Sequence, residues 1–161
     1  MAAIQEKAPN AEYYALRVFH SALRTRIEYL LEALDWCAEN RIDIANLSLG
    51  TANPDHAPRF EAFLSRANLT IVAAAGSLPG SLPGVLAADL DPACDREKYL
   101  YRDGRFFASG YPRPIPGVPQ QHNLQGISFA VANLSGFAAQ AHETCGRQSL
   151  VDLLIRQAPH G

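Results

Sequence analysis

The sequence predicts an α/β domain in which a mainly parallel β-sheet carries helices on both faces. Three observations support this class. Segments of strand composition alternate with segments of helical periodicity, and such strand-helix-strand units almost always form right-handed crossovers between parallel strands. Residues 70–75 are continuously apolar, as expected of a strand covered on both faces of a sheet. A length of 161 residues with 48% hydrophobic content suits a single domain over 1–161 with its own core.

The first part of the chain predicts two strands with a helix between them. Residues 13–19 are aromatic and β-branched and predict the first strand. A capping box at Thr25 and Glu28 predicts the start of a helix that ends at Asn40. The inward-facing stripe of this helix comprises Ile27, Leu30, Leu31, Leu34, Cys37 and Ala38. Residues 42–49 alternate well enough to predict the next strand.

The remaining elements follow in order. A short helix has Pro58 in its first turn and an apolar face formed by Phe60, Phe63, Leu64 and Ala67. After the strand at 70–75 and a Pro-Gly-rich loop, residues 85–88 predict a further strand, and 99–107 predict a hairpin with an Asp-Gly turn. Residues 108–117 contain three prolines and cannot be regular structure. A helix at 150–155 closes the domain.

Composition excludes several classes of function. A net charge of −2 with 19% charged residues gives no electrostatic basis for binding nucleic acid or an anionic membrane. No apolar run is long enough to span a bilayer, and the first residues do not form a signal peptide. Cys37, Cys94 and Cys145 are too few and too widely spaced for a disulfide framework or a zinc site. A reducing, cytoplasmic location is therefore favoured.

Ser128 is the candidate nucleophile. It follows Gly126 and opens a run of small and apolar residues, which predicts a helix buried in the core. A serine in the first turn of such a helix lies beside free backbone N–H groups and the positive end of the helix dipole. Both favour the oxyanion that forms when a serine attacks an acyl group. The alternative is a serine that only caps the helix.

Three blocks of sequence, in the same order, resemble the subtilisin-like serine peptidases. Residues 126–130 (Gly-Ile-Ser-Phe-Ala) are similar to the family's Gly-Thr-Ser-Met/Phe-Ala nucleophile motif. Residues 45–50 (Ala-Asn-Leu-Ser-Leu-Gly) and 72–76 (Val-Ala-Ala-Ala-Gly) resemble its Ile-Asn-Met/Leu-Ser-Leu-Gly and Val-Ala-Ala-Ala-Gly-Asn strands. Residues 8–19 resemble the strand after its Ala-Pro-Asn turn. The resemblance covers the C-terminal two thirds of the family's domain and implies a three-layer fold that lacks its N-terminal strands.

The resemblance implies hydrolysis of peptide bonds by acyl transfer through Ser128. It places Ser77 where the family has its oxyanion-hole asparagine, although a serine hydroxyl reaches less far than a carboxamide. The implied substrate-binding residues are Ser48, Leu49, Gly50, Ala75 and Gly76. The implied partner is a peptide or protein substrate, and neither a cofactor nor a metal ion is expected.

The general base is not evident in the sequence. In this family the triad runs Asp, His, Ser along the chain, and neither partner motif precedes Ser128. Surface or ordinary polar roles are expected for His20, His56, His122, His142 and His160. Residues 1–10 resemble the second half of the helix that the family's catalytic histidine opens. The resemblance therefore implies an N-terminally truncated domain whose histidine and aspartate are encoded upstream of residue 1.

Two other functions stay open. A pseudo-peptidase would bind an extended peptide along residues 48–50 without cutting it, because pairing with a substrate strand needs only backbone groups. A small α/β module would carry the serine motif by coincidence. Without the family's first strands, the sheet is expected to expose an apolar edge at 13–19 or 42–49, and such edges promote association.

Overall fold

The computed structural model describes residues 1–19 and 22–159. The helices are α1 (Ala2–Gln5), α2 (Ile27–Glu39), α3 (Ala57–Leu64), α4 (Ile127–Cys145) and α5 (Leu150–Gln157). The strands are β1 (Ile44–Leu47), β2 (Thr70–Ala74), β3 (Leu86–Leu90), β4 (Tyr99–Arg102) and β5 (Arg105–Ala108). Short 3₁₀ turns lie at Pro54–His56 and Gln120–His122.

The described strands form one sheet in the order β1-β2-β3-β5-β4. The pairs β1/β2, β2/β3 and β3/β5 are parallel, and only β4/β5 is antiparallel. Alternate residues of β2 face opposite cores: Val72 packs with α4 and α5, whereas Ile71 and Ala73 pack with α2 and α3. The predicted fold class, a mainly parallel sheet with helices on both faces, is therefore confirmed.

The Asp-Gly hairpin is confirmed. Asp103 and Gly104 have φ of 51° and 74°, so both central residues of the turn are left-handed, as a two-residue hairpin loop prefers. The strands on either side pair from Tyr99 with Ala108 to Arg102 with Arg105. The helix opened by the serine motif is also confirmed, since α4 begins at Ile127.

The predicted strand at 13–19 is wrong. These residues run as irregular chain, because no described strand lies beside them to pair with their backbone groups. The aromatic side chains pack locally instead, and the ring centroid of Tyr14 lies 5.9 Å from that of Trp36. The predicted strand at 42–49 is shorter than expected, because the chain leaves the sheet after Leu47.

The predicted capping box is also wrong. Helix α2 begins at Ile27 with Arg26 as its N-cap residue, and no side chain caps it. Thr25 therefore lies one residue too early to reach the free N–H groups, and its buried hydroxyl has no hydrogen-bond partner. Glu28 instead accepts a hydrogen bond from Arg59 of α3 at 2.6 Å. A tertiary ion pair thus replaces the local cap.

Strand β1 lies at one edge of the described sheet and faces a cavity of about 660 Å³, here called the edge groove. Residues 10–16, α2 and β1 line this groove. The carbonyl of Asp43 accepts a hydrogen bond from Thr70 N–H at 2.8 Å, so Asp43, Ala45 and Leu47 face β2. Because parallel strands alternate the side to which they bond, the backbone groups of Ile44 and Asn46 point towards the edge groove.

We expect the 161-residue chain to self-associate through the edge groove, because Tyr14 and Leu16 on its wall are 58% and 39% exposed beside unpaired backbone groups. Leu16→Lys should shift sedimentation-velocity profiles towards monomer by placing a charge on this surface. Leu23→Lys is the matched control, since Leu23 is 90% exposed and does not line the groove. A monodisperse monomer at all concentrations would contradict the expectation.

A second prediction concerns Tyr99, which is 6% exposed and donates a hydrogen bond to the carbonyl of Leu154 at 2.7 Å. Burial raises the pKa of Tyr99 from 10.0 to about 12. The unfolded chain therefore loses this proton first, and the stability that Tyr99 contributes below pH 10 is lost as pH rises towards 12.

Tyr99→Phe should accordingly lower the free energy of unfolding by about 1 kcal/mol at pH 7, because one hydrogen bond is lost. Between pH 10 and 12 this advantage of the wild type should disappear and reverse, at up to about 1.4 kcal/mol per pH unit. Denaturant titrations of both proteins from pH 7 to 12 measure this difference. A difference that stays constant over that range would contradict the assigned burial effect.

Candidate active site

The candidate site lies where the carboxyl ends of β1 and β2 meet the N-terminus of α4. Ser128 is the second residue of α4 and is exposed. Ser48 and Gly50 follow β1 and are also exposed, whereas Ser77 follows β2 and is half-buried. All four residues line one pocket of about 160 Å³. The structure thus brings together residues that are up to 80 positions apart in the chain.

Two reciprocal hydrogen bonds join the loop after β1 to α4. Ser48 Oγ donates to the carbonyl of Ser128 at 3.0 Å, and Ser128 Oγ donates to the carbonyl of Ser48 at 3.2 Å. These contacts place the candidate nucleophile directly against the backbone of the predicted substrate-binding segment.

Sequence reasoning missed two residues that support this contact. Asn46 Nδ2 donates to Ser48 Oγ at 3.0 Å, and Ser135 Oγ donates to Asn46 Oδ1 at 3.0 Å. Asn46 and Ser48 are the alternate polar positions of an otherwise apolar strand, and Ser135 lies seven residues after Ser128 on the same helix face. The alternation of Asn46 with Ser48 and the seven-residue spacing of Ser128 and Ser135 were the sequence signals for a polar connection between β1 and α4.

The start of α4 is set by the backbone rather than by a side-chain cap. Gly126 is the N-cap residue, and its N–H donates to the carbonyl of Gly110 at 2.9 Å. The alternative that Ser128 only caps the helix is therefore wrong. No backbone hydrogen bond of the described residues uses the N–H of Ile127 or Ser128. These donors and the positive end of the helix dipole favour negative charge beside the Ser128 hydroxyl.

Ser77 faces the same pocket as Ser128. Its hydroxyl donates to the carbonyl of Ala74 over a long 3.4 Å contact, so little holds it in that rotamer. Thr51 and Leu78 exchange backbone hydrogen bonds of 3.0 and 2.9 Å and tie the two loops together. Ala74 lines the pocket, whereas neither Ala75 nor Gly76 does.

None of the described histidines lines the pocket at Ser128. His122 is exposed at the end of a 3₁₀ turn, and His56 is half-buried before α3. His142 Nε2 lies 3.8 Å from Asp43 Oδ1 on the wall of the edge groove. No hydrogen bond among the described residues joins Ser128 to any of them. His20 and His160 lie outside the described residues.

Other chemical features of the described residues are limited. Burial raises the pKa of the Cys37 and Cys94 thiols, which keeps both protonated and unreactive. Within residues 1–19 and 22–159, no three His, Cys, Asp or Glu side chains are grouped so that they could hold a metal ion. Over the same residues, no helix has the length and apolar character needed to cross a bilayer.

The chain is similar in sequence to bacterial proteases. The alkaline protease of Alkalihalobacillus alcalophilus is 26% identical over 148 residues, which are 89% of this chain and 38% of the relative. Subtilisin Savinase of Lederbergia lenta is also 26% identical over 148 residues, covering 89% of this chain and 54% of the relative. No protein family profile matches the chain.

Solved structures show the same likeness. A cold-adapted subtilisin-like serine proteinase superposes with a TM-score of 0.61 at 18% identity, over 86% of this chain and 56% of that one. The prenylagaramide maturation protease PagA superposes with a TM-score of 0.55 at 22% identity, over 87% of this chain and 55% of that one. The chain thus spans about half the length of most of these proteins. Similarity over nearly the whole chain does not support a coincidental serine motif.

Proposed function

Because the chain is a partial subtilisin-like, protease-like domain, we propose that it hydrolyses peptide bonds by acyl transfer through Ser128. The observation that carries the proposal is the position of this exposed hydroxyl, at the N-terminus of α4 and within one hydrogen bond of the Ser48 backbone. A peptide or protein chain is the proposed substrate. The low identity to the relatives leaves its sequence preference open to experiment.

An extended substrate would pair with the backbone of Ser48, Leu49 and Gly50 and place one side chain in the pocket beside Ser128. Ser128 Oγ would attack the substrate carbonyl carbon while a base takes its proton. The oxyanion would then accept hydrogen bonds from Ser128 N–H and, after rotation of its side chain, from Ser77 Oγ. The base then gives its proton to the leaving nitrogen as the C–N bond breaks, the amine departs, and water hydrolyses the acyl-enzyme with the same base taking a proton from the water.

None of the contacts of Ser128 described above supplies a general base. Ser128 Oγ donates to the carbonyl of Ser48, which cannot take up the proton at neutral pH. We place the base histidine and its orienting aspartate on polypeptide outside residues 1–161. The edge groove supports this assignment, because Leu49 lines both that groove and the pocket at Ser128. A strand added against β1 would therefore end close to the serine.

A second candidate function is peptide binding without cleavage. It is favoured by the same hydrogen bond, because a hydroxyl that donates to a backbone carbonyl is not activated. Ser48 and Gly50 are exposed, so a peptide can reach this segment in either case.

We predict that residues 1–161 alone hydrolyse peptides hardly at all. Removing the base lowers turnover by about 10⁶, a magnitude taken from subtilisin itself. The Ser128→Ala variant should therefore be indistinguishable from the wild type in a fluorogenic peptide assay. Robust turnover that Ser128→Ala abolishes would instead mean that a local histidine acts as the base, and His122→Ala would then be the next variant to test.

The peptidase proposal is tested on the protein translated with the coding sequence upstream of residue 1. We expect that sequence to encode a histidine motif of the His-Gly-Thr type and, earlier, an apolar strand that ends in Asp-x-Gly. The extended protein should cleave peptides, and Ser128→Ala should abolish cleavage. An upstream frame without that histidine would favour the peptide-binding function.

Peptide binding should depend on Gly50. A Cβ added there would lie 2.5 Å from Ser77 Oγ, which can rotate away, but also 3.0 Å from the carbonyl oxygen of Leu78 and 3.2 Å from Ser77 Cβ, so Gly50→Ala must shift the binding segment slightly. We expect about tenfold weaker binding of a labelled extended peptide by fluorescence anisotropy, equivalent to about 1.4 kcal/mol. Ser128→Ala is the control and should bind within about twofold of the wild type. Unchanged affinity in Gly50→Ala would exclude this segment as the binding surface.

A further inference from the structure

Asn133 is an amide side chain buried in the middle of the core. Its exposure is 0%, and it lies in the second turn of α4, five residues after Ser128. Its Nδ2 donates to the carbonyl of Ser109 at 2.8 Å and to that of Tyr111 at 3.0 Å. Both donors of one amide are therefore used on a single turn that follows β5.

This amide is a costly way to fill the core. Asn133 Oδ1 and the neighbouring Ser109 Oγ are both buried without a hydrogen-bond partner among the described residues. An unpaired buried acceptor weakens the folded state relative to an apolar side chain of similar size. Packing alone does not account for an amide here, so its two hydrogen bonds need another explanation.

The two bonds fix the carbonyl of Gly110, which lies between the two accepting residues. That carbonyl accepts the hydrogen bond of Gly126 N–H at 2.9 Å. Gly110 also packs closely against a side chain of β3, since a Cβ added to it would lie 2.6 Å from Leu90 Cδ1 and 3.1 Å from Leu90 Cγ. Asn133 and Leu90 thus contact the turn at 109–111 from two sides, and this turn itself fixes Gly126.

The anchored turn lies at the start of a long irregular connection that leads to α4. Residues 113–121 are exposed, are rich in proline and form no strand or long helix, so they cannot by themselves position the start of α4. The contacts of Asn133, Gly110 and Gly126 close this long connection at its base. Motion within the connection is thereby separated from Ser128.

We propose that Asn133 is a positioning residue for Ser128. Through the turn at 109–111, it sets the backbone of Gly126 and so the direction of the first turn of α4. The catalytic consequence rests on the proposed function, whereas the positional effect does not. In an active form of the protein, loss of the Asn133 amide should lower kcat and leave KM nearly unchanged, because the hydrogen bonds of Asn133 go to Ser109 and Tyr111 and not to Ser48 or Gly50.

The test compares Asn133→Leu, which keeps a similar volume without donors, with Ser109→Ala, which removes an equally buried hydroxyl that has no partner. Leu154→Ala controls for general destabilisation, because Leu154 is 0% exposed and lies on α5. Amide hydrogen exchange is measured by NMR in the 161-residue chain at Gly126 and Phe129, whose N–H groups donate to the carbonyls of Gly110 and Gly126, and in β2. This readout requires no peptidase activity.

We expect exchange at Gly126 and Phe129 to accelerate about tenfold or more in Asn133→Leu relative to β2, and to change less than about twofold in Ser109→Ala. Leu154→Ala should accelerate both regions by the same factor. Equal acceleration of both regions in Asn133→Leu, or none at Gly126 and Phe129, would overturn the proposal. If Asn133→Leu does not fold, Asn133→Ala replaces it, and the unmodified chain gives a direct check. Gly126 N–H must there be protected as strongly as β2, and rapid exchange at Gly126 would also overturn the proposal.

Selective acceleration at Gly126 and Phe129 without any cleavage by the extended wild-type protein would reject the proposed peptidase function and leave the positional role of Asn133 intact. Cleavage without selective acceleration would support the peptidase function and reject the positional role of Asn133.

Discussion

The structure depends on the burial of α4 against one face of the sheet. The helix crosses the parallel strands and is covered on its other sides by α1 and α5, so Ala130, Val131, Leu134 and Ala138 are 0% exposed. Small side chains allow this close approach, and an α4 residue that moved would disturb every neighbouring layer. Because the helix is fixed along its length, its first turn can hold an exposed serine at a defined place.

Among the described residues, the side-chain hydrogen bonds between this helix and other elements lie in its N-terminal half, whereas His142 near its other end only lies 3.8 Å from Asp43. Ser48 and Asn46 tie it to β1, and Asn133 ties it to the turn after β5. The far end of the sheet is stabilised differently, by aromatic contacts such as that between Tyr99 and Phe137, whose ring centroids lie 5.0 Å apart. Hydrogen bonds depend more strictly on distance and angle than apolar contacts do. The N-terminal half of α4, which carries the candidate site, is therefore held in a more closely defined position than its C-terminal half.

Much of the fold follows from local patterns. The strand at β2, the Asp-Gly hairpin and the helix begun near Ser128 were each predicted, because hydrophobic periodicity and turn chemistry are properties of neighbouring residues. The failures have a common cause. Residues 13–19 have the composition of a strand but no partner strand, and Glu28 binds Arg59 instead of completing a cap with Thr25. Tertiary contacts overrode a sound local preference in both cases.

The sequence by itself determined the α/β class, the mainly parallel order of elements and the residues of the serine motif with Ser48, Gly50 and Ser77. Their meeting in one pocket was decided by tertiary structure, because it depends on parallel strands that end at the same edge of a sheet. The role of Asn133 is of the same kind. A buried asparagine in a helix has no distinctive sequence signal, and only the packed chain brings it to two carbonyls more than twenty residues away.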